Sequence, residues 1–151
     1  MRFIVPATVT VYFVSCNIDK KERQSSTDAG IKDFTRGYDQ IWASRDTGLI
    51  KRAMNNQYIN FTSTGSTRKR SVITGWFIPA DKYKVEKAER TEISILFQRN
   101  IAIVSSRWVG NGIFGNEKFN DDQRRNLMIQ KSEEKLKLLA EHCTQITGGN
   151  E

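Results

Sequence analysis

The chain contains a single histidine, His142. It is the side chain best suited to proton transfer near neutral pH, since an unperturbed imidazole titrates at about 6.5. As a general base it needs a ligand proton within hydrogen-bond reach. The same ring, bonded to a neighbour, serves equally well as a partly buried packing residue. One histidine excludes a His–His metal pair. Tyr38 is either a hydroxyl donor in a pocket or a helix-packing residue. Trp42 and Trp108 have the broad faces that line small-molecule cavities and also fill cores. Arg124 presents a planar fork suited to a carboxylate or phosphate, or else a charge on a sheet surface. Asp121 and Asp122 are paired carboxylates next to Arg124 and Arg125, a setting for ion pairing. Cys16 and Cys143 are the only thiols. No disulfide framework exists if Cys16 is used otherwise.

Elements must carry these groups. Ile31, Phe34, Tyr38, Ile41 and Trp42 recur at helical spacing and give a first helix one apolar face. Asp46 or Thr47 suits the cap of a second helix, whose apolar face is Leu49, Ile50, Ala53 and Met54. Asn55-Asn56 favours a stop. Tyr58 to Thr62 then reads as a strand entering the Gly65 turn. A short third helix carries the basic run Arg68-Lys69-Arg70 on its outside, places Trp76 or Phe77 inward and ends at Pro79. Four strands come next: Lys84 onward, Ile101–Val109 after an Arg99-Asn100 turn, Phe119–Gln130, and a last strand after Lys131–Glu134. Gly110, Gly112 and Gly115 fit a bulge or hairpin better than a phosphate loop, since no glycine fingerprint opens onto a helix. In the last strand, alternation puts Leu136, Leu138, Ala140, His142 and Thr144 on one face. Its Leu and Lys residues also suit a helix. Helices followed by a meander give an α+β fold, three helices packed on one face of a strongly curved antiparallel sheet with a pocket between them.

The 151 residues suit one domain with a core of its own. The net charge of +7 reads as a solvated surface rather than a nucleic-acid interface, because no aromatic-basic signature or long basic helix accompanies it. Met1-Arg2, an apolar run from Phe3 and Val14-Ser15-Cys16 resemble a lipoprotein signal peptide over residues 1–15, cleaved before a lipidated Cys16. Val9 to Tyr12 equally fit a first strand, which would leave the protein in the cytoplasm. Residues 16–29 lack an apolar face and read as a polar tether. A folded domain over 30–147 and a tail over 148–151 complete the division. The only membrane contact expected is the anchor at Cys16.

Trp42-Ala43-Ser44-Arg45-Asp46, Tyr58-Ile59-Asn60-Phe61, Arg107-Trp108, Arg124-Arg125-Asn126-Leu127-Met128 and Leu138-Leu139-Ala140-Glu141-His142 stand in an order that resembles the nuclear transport factor 2-like (NTF2-like) superfamily. That superfamily includes ketosteroid isomerase and the SnoaL-like cyclases. The resemblance is closer to a small bacterial branch of unknown function. It covers about Ile31 to Ile146 by periodicity. It implies a cone-shaped pocket, no metal or cofactor, and a homodimer through the sheet. It places Tyr38 at the donor tyrosine of the isomerases, Thr62 at their base and Asn126 at their acid donor. A threonine cannot take a carbon-bound proton at neutral pH, so steroid isomerisation is not expected. Two functions follow. One is a small-molecule-binding or accessory domain, exported and lipid-anchored. The other is a lyase or isomerase with His142 as base and Tyr38 and Asn126 as polarising donors. The expected pocket also takes in Trp42, Thr62, Trp108, Arg124 and Met128. Fold does not fix function between these two.

Overall fold

A computed structural model describes residues 16–77, 83–132 and 135–146, with side chains from Asp28 onward. The expected signal peptide, the Cys16 side chain, Pro79, Glu133-Glu134 and the tail lie outside them.

The first helix, α1 (Cys16–Ser44), buries the expected face. Ile31 and Tyr38 are 1% exposed. Phe34, Ile41 and Trp42 pack beside them on the core. Thr35 is also buried, and its hydroxyl donates to the Ile31 carbonyl at 2.8 Å. Each such apolar side chain contributes about 1.5–3 kcal/mol by leaving water. The helix starts well before Ile31 and runs through the residues read as a tether. Lys20, Lys21, Glu22, Arg23 and Gln24 are good helix formers without forming a greasy stripe. Helix α2 (Thr47–Ala53) is capped as expected by Asp46, whose Oδ1 accepts the Leu49 N–H at 2.9 Å.

Strands β1 (Met54–Phe61) and β2 (Thr67–Lys69) precede α3 (Arg70–Gly75). Helix α2 ends at Ala53, just before the expected Asn55-Asn56 stop, and both asparagines already lie in β1, where Asn55 Nδ2 donates to Gln130 Oε1 at 2.9 Å. Of the basic run, Arg68 and Lys69 belong to β2, and only Arg70 belongs to the third helix. Strands β3 (Tyr83–Gln98), β4 (Ile101–Phe114), β5 (Glu117–Ser132) and β6 (Lys135–Gln145) form the meander. Arg99 takes a left-handed φ of 56° in the first hairpin, and Gly115 takes 65° in the second.

The sheet runs β2-β1-β6-β5-β4-β3 and is open. It is mixed rather than wholly antiparallel, because β1 lies parallel to β6. That pairing joins distant segments and leaves no local trace in the sequence. The inner face, toward the helices, carries Val104, Leu127, Ile129 and Leu138, all fully buried. Arg90 clamps α1 to this face. Its Nε and Nη2 donate to the two carboxylate oxygens of Asp39 at 2.7 Å, and its Nη1 donates to Ser106 Oγ at 2.7 Å.

One irregularity decides the chemistry of β6. Ile129 pairs with Leu138, but Met128 pairs with Ala140. Leu139 is therefore an extra residue, a β-bulge that reverses the alternation beyond it. Leu138 and Glu141 both reach the inner face, whereas strict alternation would have sent Glu141 outward.

Candidate functional site

Beyond the bulge, Glu141 and Cys143 share the inner face with Gln123 and Arg125 of β5. These groups floor a cavity of about 290 Å³ between the sheet and the α1 and α3 ends. Glu141 is 3% exposed. Its Oε2 accepts the Tyr58 hydroxyl at 3.1 Å, and its Oε1 lies 3.4 Å from Arg125 Nη1. Arg125 Nε donates to Gln123 Oε1 at 2.9 Å, and the guanidinium lies 3.8 Å from the centre of the Trp108 ring. Burial works against the Arg125 charge, but Glu141 and smaller contributions from its other neighbours outweigh it and hold the group above its ordinary value.

The walls are aromatic. Tyr83 meets Trp42 edge-on at 5.5 Å and stacks on Phe119 at 5.8 Å. Trp76 meets Phe114 at 5.7 Å. Burial pushes the Tyr83 hydroxyl up to about 12, and it drives Tyr38 and Tyr58 well upward too. All three therefore stay neutral at physiological pH. Tyr38 Oη and Trp42 Nε1 are buried without a well-formed hydrogen bond. Burial also pushes the Cys143 thiol up to about 12, which removes it as a nucleophile. Among the described residues, no three of His, Cys, Asp or Glu converge as a metal set, and no helix is long and apolar enough to cross a membrane.

Solved structures with this architecture come from several organisms. An NTF2-like protein of unknown function in nutrient uptake from Rhodospirillum rubrum superposes with a TM-score of 0.73 at 16% identity, over 78% of this chain and 98% of its own. An NTF2-like protein from Cytophaga hutchinsonii gives 0.74 at 13%, over 79% and 98%. A putative calcium/calmodulin-dependent kinase II association domain from Exiguobacterium sibiricum gives 0.74 at 7%, over 82% and 95%. The fold is NTF2-like. No family model and no curated protein matches the chain.

Within this NTF2-like frame the expected site separates. Trp42 and Thr62 line the cavity, and Tyr38 is buried in the core beside Trp42, with ring centres 6.2 Å apart. Trp108 lies beneath Arg125. His142 does not join them. It is exposed, pairs with Asn126 in register and faces away from the helices, because the Leu139 bulge reversed its side. Asn126 shares that outer face. Met128, 41% exposed, and Arg124, bonded through Nη2 to Glu92, lie there too. The proposed trio of His142, Tyr38 and Asn126 is thus divided by the sheet, and the lyase or isomerase reading loses its base.

The adjacent aspartates also part. Asp122 turns outward to Arg107, accepting Nε at 2.9 Å, and this hydrogen bond and charge hold its carboxyl below the usual range. Asp121 turns into the cavity, where burial raises it and Arg125 partly offsets the rise. Sequence reasoning singled out Arg124 and missed Arg125, Glu141 and Gln123. The signal for two of them was present: Leu127 and Ile129 mark the inner face of β5, and stepping back by twos reaches Arg125 and Gln123.

Proposed function

We propose that the protein is a small-molecule-binding domain whose site is the inner-face cavity. The observation that carries this is the cavity itself. Aromatic walls enclose a floor whose buried pair, Arg125 and Glu141, is already satisfied by Gln123, Tyr58 and Trp108. Such a site is apolar, with few and fixed polar groups, as ligand pockets are. Indole, titrated into the labelled protein, is expected to shift the Trp42 and Trp76 Nε1–H resonances saturably and to leave the His142 ring protons in place. Shifts at His142 alone would overturn the assignment. We further propose export and anchoring through an acylated Cys16. Mass spectrometry of the membrane fraction should find that mature terminus, and intact Met1 in the soluble fraction counts against it.

A homodimer through the outer face is a second part of this reading. Leu96, Ile103, Met128, Ala140 and Ile59 stand in one cross-strand row on that face. Leu96 is 63% exposed. Phe61 and His142, with ring centres 6.4 Å apart, extend the patch. A continuous apolar stripe across five strands calls for cover. One structural neighbour is itself named an association domain. Light scattering at micromolar concentration is expected to give twice the chain mass, and Met128→Lys is expected to halve it. A monomeric mass for the unaltered chain contradicts the dimer.

A further inference from the structure

Two cationic side chains line the cavity, Arg68 and Arg125. Arg125 is engaged. Gln123 and Glu141 take its donors, the Trp108 face covers it, and its charge reaches Asp121 as well. Arg68 is not engaged in this way. Among the described residues its guanidinium makes neither an ion pair nor a hydrogen bond. Its contact is the Trp76 ring, whose centre lies 4.5 Å away. A ring face attracts the charge but leaves the N–H donors of the fork without an oxygen.

A second unspent donor stands beside it. Asn60 faces Arg68 across the β1–β2 pair, on the same side of the sheet. Asn60 is 7% exposed, and its Nδ2 meets only the Cys143 sulfur, at 3.9 Å. Sulfur is a weak acceptor, so a buried amide donor is poorly satisfied there. The row continues from Asn60 to Glu141 on β6 and Leu127 on β5. Glu141 turns to Arg125 and Tyr58, which balance its charge. Asp121 stands six residues before Leu127 on β5, well along the strand from this row. The aromatic wall, in contrast, begins at Arg68. Trp76, which carries the guanidinium, meets Phe114 at 5.7 Å, and Phe114 meets Tyr83 at 5.9 Å. Donors that want an anion and rings that want an apolar body are therefore adjacent.

We infer that the cavity binds a small amphipathic monoanion, its carboxylate on the Arg68 fork and Asn60 Nδ2 and its apolar body against Trp76 and Phe114. The planar fork matches the two oxygens of a carboxylate. One open guanidinium matches one charge, and Asp121 further along the cavity opposes a second anionic group. This rests on the cavity being the ligand site. It goes further in fixing the sign and place of the ligand's charge, which the aromatic walls alone leave open.

Three probes share one phenylpropyl body: 3-phenylpropionate, uncharged 3-phenylpropan-1-ol and 3-phenylpropan-1-amine. Calorimetry on the full-length protein at neutral pH is expected to rank the carboxylate first, about tenfold or more tighter than the alcohol, since one charge-assisted hydrogen bond is worth about that much. The amine should bind no better than the alcohol. Arg68→Gln should bring the carboxylate down to the affinity of the alcohol and spare the alcohol itself. Arg124→Gln removes the same charge from the outer face and should leave the carboxylate's advantage intact. The anion is overturned if the alcohol or the amine binds as tightly as the carboxylate, if Arg68→Gln weakens carboxylate and alcohol alike, or if Arg124→Gln abolishes the advantage just as well. If all three probes fail while indole still moves Trp42 and Trp76, the anion falls and the cavity stands. If indole fails as well, both fall.

Discussion

Glu141→Ala is expected to destabilise the fold by about 3–5 kcal/mol, because removing one member of a buried pair leaves the other charged and unmatched. Glu141 is 3% exposed and the Arg125 side chain 15%, so water cannot compensate the guanidinium. Tyr58, itself buried, loses its acceptor in the same step. Urea unfolding should show a lowered midpoint with an unchanged slope, the mark of lost stability rather than altered compactness. Replacing both partners, Arg125→Met with Glu141→Leu, should recover most of the loss, since a packed apolar pair removes the unpaired charge. A loss below about 1 kcal/mol for Glu141→Ala would mean the pair behaves like a surface ion pair. The floor of the cavity would then not be rigid.

Arg90→Ala is the next largest expected effect, about 3 kcal/mol, at the lower end of the buried-pair range. The Arg90 side chain is 4% exposed but Asp39 is 22% exposed, so the stranded carboxylate regains some water. What distinguishes this variant is where the damage falls. Arg90 ties β3 to α1 through both oxygens of Asp39, and Ser106 holds its third nitrogen on β4. Amide exchange in α1 around Tyr38 and Trp42 should accelerate more than exchange in the β4–β5 hairpin. Uniform acceleration throughout the chain would show that the clamp does not hold the helix specifically. Because Trp42 walls the cavity, the same variant should also blunt the indole response.

Much of the frame was legible from local pattern. Ile31, Tyr38 and Trp42 announced the buried face of α1 by their spacing, and Asp46 announced the start of α2 by its capping chemistry. Ile101 to Val109 alternated cleanly into β4. Hydrophobic period could not reveal the first half of α1, where helix formers without a stripe fold as helix. Nor could it reveal β2, a three-residue strand of Thr67, Arg68 and Lys69. The parallel contact of β1 with β6 is a property of topology, and no window of sequence contains it. The site was read half correctly for one reason. Counting by twos along β6 assumed an uninterrupted strand, so Leu138 implied His142, when the inward residue was Glu141.

Leu139 makes β6 behave like a reading frame. Every side chain after it takes its side from parity, so one residue of length sets which chemistry meets the helices and which meets solvent. A chain lacking that residue, with identical composition otherwise, would swing His142 inward and turn Glu141 and Cys143 out. Insertions and deletions are usually counted as events of loops. In this central strand a gap of one exchanges a carboxylate and a thiol for an imidazole. Where another protein of this fold lacks the bulge, positions therefore correspond only as far as Leu138, and beyond it the offset has to be matched before the residues are compared.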